Sequence, residues 1–157
     1  MRQGRHSEAA DSLIAGFTAL RADPLVDQGI VLRALEAART VATVSVAKAP
    51  ALLASVMRPF AIYLAETARV AVLLPIAAAA GDRALLDTFV SLEPYVPWTL
   101  FTLARRLELY RAAGHPLIGR AEDDLHDFVT GQVQPLIGTT STDLGEPPPS
   151  AGSALAP

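Results

Sequence analysis

An all-α fold, a bundle of five to seven helices several of which are broken by proline, is predicted by three observations. Apolar residues fall at helical spacing over long stretches, no stretch alternates apolar and polar residues as a strand does, and proline or glycine punctuates the chain at intervals of a helix length. At 157 residues, 51% of them apolar and 18% charged, the chain can bury one real core. The boundaries read from composition are a helical domain over 1–137 and a disordered tail over 138–157.

The first helix is read over 7–21, with Ser7 as its N-cap and Ala9, Leu13, Phe17 and Leu20 on one face. Asp23-Pro24 stops it, because proline disfavours the helical conformation in the residue before it. A second, strongly amphipathic helix follows over 25–49. Val31, Leu35, Ala38, Ala42 and Val46 share one side of it, and Arg33, Glu36, Thr40 and Thr43 share another. Pro50 interrupts it, and a short piece over 51–57 ends at Arg58-Pro59.

Residues 60–80 have no polar face after Arg69, so the helix they form is buried in protein or in lipid. As a membrane span, its large apolar residues contribute about −4 kcal/mol, and Glu66 with Arg69 near the middle costs about +5 to +6. A soluble core is therefore the expectation, and membrane association built on residues 40–80 is the secondary reading. Gly81 reads as a stop and Asp82 as the N-cap of a helix over 83–92.

Pro97 suits the first turn of a helix over 98–113, with Leu100, Leu103, Leu107 and Tyr110 as a stripe. Arg105, Arg106, Glu108 and Arg111 are turned away from that stripe. The last helix, 119–134, sets Ala121, Leu125, Phe128 and Val129 against Glu122, Asp123 and Asp127. From Gly138 on, Gly, Ser, Thr, Pro and Ala offer too little apolar surface to offset the entropy of ordering.

Composition narrows the function. A net charge of −3 with scattered arginines argues against nucleic acid, whose binders neutralise phosphates with a basic face. The absence of cysteine removes disulfides and sulfur-ligated zinc. The first ten residues lack the apolar core of an export signal, and the expected location is cytoplasmic. Asp123, Asp124 and Asp127 spell D-D-x-x-D, which resembles the spacing that holds magnesium in isoprenoid synthases. The likeness covers five residues, without the second acidic motif those enzymes use. Glu122 and His126 lie one turn apart, as metal ligands often do, but two ligands do not make a site. The segment is read as a solvated acidic face, with no metal and no cofactor.

Ser, His and Asp occur, but nothing marks them as a catalytic unit, and no phosphate loop or zinc-protease motif is present. The expectation is a non-catalytic module that assembles with itself or with a protein partner, using the stripe Leu100, Leu103, Leu107 and Tyr110. A second expectation is a small-molecule pocket with Tyr63, Glu66, Thr67, Arg69 and Trp98 in its wall.

Overall fold

A computed structural model describes residues 2–131, and among them the chain is all-helical. The helices are α1 (Arg2–Ala22), α2 (Gln28–Val44), α3 (Ala49–Met57), α4 (Tyr63–Ala80), α5 (Asp82–Leu92), α6 (Leu100–Ala113) and α7 (Ile118–Gly131). A single 3-10 turn, Val46–Lys48, joins α2 to α3. The expected tail, 138–157, lies outside the described residues.

After Arg69, α4 is apolar all round because most of it is packed, and its exposed positions there are only the small side chains of Ala71 and Ala78. It packs on α2 and α3, where Leu35, Leu52, Val56 and Leu73 close one core cluster together with Phe17 of α1. Its C-terminal end joins α5, α6 and α7, where Phe89, Leu107 and Tyr110 form a second. No helix among the described residues is long and apolar enough to cross a membrane. Pro75 lies inside α4 without ending it. Proline lacks the amide that would bond the Ala71 carbonyl, and the packing around the helix offsets that loss.

Several boundaries differ from the sequence expectation, each for a local reason. α1 starts at Arg2, so Ser7 lies within it and caps nothing. α2 starts three residues later than expected, because Asp23 and Asp27 organise the turn before it. The Asp23 carboxylate accepts from the Leu25 amide at 2.8 Å, and Asp27 accepts from the Ile30 amide at 3.0 Å as N-cap. The same helix ends at Val44 rather than 49. Pro50 then sits in the first turn of α3, where a missing amide costs nothing. Gly81, at φ +113°, ends α4 and takes the cap position expected of Asp82, which becomes the first residue of α5. Thr99 caps α6 through the Thr102 amide at 3.2 Å, so Trp98 lies before the helix and not in it.

Two arginines close the C-terminal end of α3. Arg69, buried, donates to the Val56 carbonyl at 3.2 Å and the Met57 carbonyl at 2.9 Å. Arg21 reaches across from α1 to the carbonyls of Ser55 at 2.7 Å, Arg58 at 2.6 Å and Pro59 at 3.2 Å. Its guanidinium also lies 4.3 Å from the centre of the Phe60 ring. The last carbonyls of a helix lack amide donors of their own, and a cation there also opposes the negative end of the helix dipole.

Candidate functional site

The link from α5 to α6, residues 93–99, carries two prolines and cannot continue a helix. Its start is fixed by a buried polar cluster. Arg106 of α6, 1% exposed, places Nε 3.0 Å from Glu93 Oε1 and donates to Asp124 Oδ2 of α7 at 2.8 Å. The Nε contact is an ion pair without hydrogen-bond alignment. Tyr110 completes the arrangement, its hydroxyl donating to the same Glu93 Oε1 at 3.0 Å. Burial, and then the bond to Glu93, push the Tyr110 phenol well above its ordinary range, so it stays a donor. Burying Arg106 corrects the expectation that it turns away from the core. Glu93 and Asp124 face it there, and a guanidinium is buried only when so paired.

Beyond this anchor the link turns outward. Val96 is buried, whereas Tyr95 is 86% exposed and Trp98 53%. α6 then opens with Leu100 at 54% and Phe101 at 81% exposure. Trp98 is steadied by an edge-on contact with Phe128 of α7, ring centres 6.3 Å apart. Four large apolar residues thus lie exposed within seven positions.

Beside this surface lies a cleft of about 490 Å³ between α4, α5 and the start of α6. Leu74, Pro75, Leu85 and Phe89 line its apolar walls. Phe101 stands at one side, and the polar lining groups are Thr99, Thr102 and Arg105. Arg105 is already engaged by Asp82 at 2.6 Å and Glu108 at 2.7 Å. A second, smaller cavity of about 250 Å³ lies between α3 and α5, along Leu53, Met57 and Thr88.

Of the residues expected to form a ligand pocket, Glu66, Thr67, Arg69 and Trp98 line neither of these two cavities. Tyr63 opens α4, Thr67 is exposed, and Glu66 pairs with Arg69 through both carboxylate oxygens, the Nε contact at 2.8 Å. That hydrogen bonding holds the Glu66 carboxyl below the usual range. Arg69 is occupied with the end of α3, and Trp98 stands on the α7 side of the link. Of the expected interaction stripe, Leu103, Leu107 and Tyr110 are buried inside the chain, and Leu100 alone is exposed.

The acidic segment of α7 is likewise divided. Asp124 turns in to Arg106, Glu122 bonds Arg111 at 2.7 Å, and Asp123 and Asp127 face outward. Among the described residues no group of three or more His, Asp or Glu side chains is arranged to hold a metal.

The residues missed from sequence are Tyr95 on the exposed surface, and Leu74, Pro75 and Phe89 in the cleft. The two prolines flanking Tyr95 and Val96 were a usable signal, because a proline-held link cannot turn all its large side chains inward. The fold and these two features define an all-α module with an exposed aromatic surface beside an apolar cleft. No family model, curated protein or solved structure matches the chain.

Proposed function

We propose that this chain is a non-catalytic assembly module that self-associates through the surface formed by Tyr95, Trp98, Leu100 and Phe101. The observation that carries the reading is the exposure of these four large apolar residues together. The three aromatics expose on the order of 400 Å², taking about 150–250 Å² for each whole side chain. A patch of that size matches the largest found on monomers, which are often functional. It supplies about half of the roughly 800 Å² per partner of a standard interface, which favours a concentration-dependent dimer.

The rim favours a second copy over a partner of single-sign charge. Arg105, which lines the cleft together with Phe101, stands with Asp82 and Glu108, so both signs occur at the edge of the patch. Two identical surfaces facing across a two-fold axis can exchange such pairs without like-charge repulsion. The buried polar cluster around Arg106 spends its groups largely on one another, which supports a structural part for it rather than a chemical one.

Light scattering coupled to gel filtration, run across a hundredfold range of concentration, tests the reading. The wild-type mass should rise toward that of a dimer. Phe101→Asp, an exposed change, should hold the chain as a monomer with its helical signal and melting temperature retained. A wild-type chain that stays monomeric throughout overturns the proposal.

A further inference from the structure

The cleft beside the exposed surface has a chemistry of its own, separate from the self-association read from that surface. We infer that it is a binding site for a neutral, mostly apolar small molecule carrying one hydrogen-bonding group. Its volume, about 490 Å³, falls within the 300–1,000 Å³ range of small-molecule sites. Its walls are apolar side chains of α4 and α5, and its polar groups gather at the α6 end. Apolar walls with few convergent polar groups are what such sites use, the walls for affinity and the polar groups for orientation.

Charge decides the class of ligand. Arg105 is the cation among the lining residues, and Asp82 and Glu108 both hold it. The rim is therefore net negative, and a carboxylate or sulfonate entering beside Arg105 must displace a protein carboxylate and then face it. A neutral ligand meets no such cost.

The site still has hydrogen-bonding capacity for one polar group. Thr99 Oγ1 bonds Thr102 Oγ1 at 2.8 Å and also accepts from the Thr102 amide. That leaves a hydroxyl proton of the pair to donate. On the opposite wall Pro75 withholds the amide that would bond the Ala71 carbonyl, and both residues line the cleft.

N-phenyl-1-naphthylamine is a suitable probe, being neutral and apolar with one N–H donor. Its sulfonated counterpart, 8-anilinonaphthalene-1-sulfonate, differs by the anionic group alone. Fluorescence titration of the full chain should show saturable binding of one neutral probe per chain, with the sulfonate at least tenfold weaker. Ala78 lines the cleft and is itself exposed, so Ala78→Trp fills the space at little cost to folding. It should weaken the neutral probe at least tenfold at an unchanged melting temperature. Ala37→Trp, on the exposed side of α2, should change nothing.

Non-saturable binding, equal affinity for the two probes, or full binding by the Ala78→Trp chain overturns the inference. Probe affinity that falls as the chain dimerises also overturns it, since a second copy then occupies the cleft, and that result supports self-association. A strictly monomeric chain that binds the neutral probe as expected keeps this inference and removes the self-association reading.

Discussion

Arg106→Met tests whether the buried cluster at the α5–α6 link holds that link in place. The change keeps an unbranched, apolar side chain of similar length and removes the charge. Glu93, whose side chain is 11% exposed, then loses the cation facing it, and Asp124 loses a 2.8 Å hydrogen bond. Breaking a buried pair by deleting one partner typically costs about 3–5 kcal/mol, because the remaining charge stays desolvated. Two features favour the lower end of that range. Arg120 Nε lies 3.8 Å from Glu93 Oε2 and 3.9 Å from Asp124 Oδ2, and Asp124 is more open to water than Glu93. A loss of about 3 kcal/mol corresponds to a fall of roughly 10 °C in Tm for a domain of this size. Urea melts with an unchanged slope should return the same figure from the midpoint shift. Adding Glu93→Gln to Arg106→Met should recover part of the loss, since the stranded charge is then gone, with a coupling of about 1–3 kcal/mol. An Arg106→Met chain within about 1 kcal/mol of wild type would refute the account of the anchor.

Leu103 is fully buried beside the cluster, so Leu103→Ala should cost about 2–5 kcal/mol in a urea melt and leave the association behaviour seen by light scattering unchanged. On α4 the two members of the Glu66–Arg69 pair should behave unequally. Arg69→Met strands the Val56 and Met57 carbonyls and should cost about 2–4 kcal/mol. Glu66→Gln, at a partly exposed position, should cost less than about 1 kcal/mol at neutral pH. The Glu66 carboxyl is held below its ordinary pKa when folded, so its contribution is full above about pH 4 to 5. That contribution is lost as the pH falls through the lowered native value. Urea melts of wild type and Glu66→Gln should therefore converge toward acid, and a gap that widens there would contradict the assignment.

Most of the fold was legible in the sequence because helix periodicity and proline positions act locally. Val31, Leu35, Ala38, Ala42 and Val46 read as one face; the first four are buried, whereas Val46 falls past the end of α2 and is exposed. What the sequence hid was set by tertiary partners. Arg106 sits in an i, i+1 pair with Arg105 and has no local mark of burial. Its environment comes from Glu93, thirteen positions earlier, and Asp124, eighteen later. Glu66 and Arg69 showed themselves as a pair through their i, i+3 spacing. Their use did not, because the carbonyls that Arg69 satisfies belong to another helix.

The exposed surface and the buried cluster have a common origin in the chain's proline content. Pro94 and Pro97 end one helix and delay the next, so residues 93–99 cross from α5 to α6 without repeating backbone bonds of their own. Such a link can turn only some of its side chains inward. Here Glu93 goes in, because Arg106 and Tyr110 offer it a cation and a donor, and Val96 follows it. Tyr95 and Trp98 then have no core to enter, and the chain reaches Thr99, the cap of α6, with its largest rings outside. The cap also fixes the phase of α6. Once Thr99 and the buried Leu103 are set, Leu100 and Phe101 fall on the outer side of the first turn and add to the same surface. Loosening the anchor should therefore weaken the proposed self-association as well as stability. An Arg106→Met chain that unfolds more readily yet dimerises as well as wild type at a temperature where both are folded would separate the two properties.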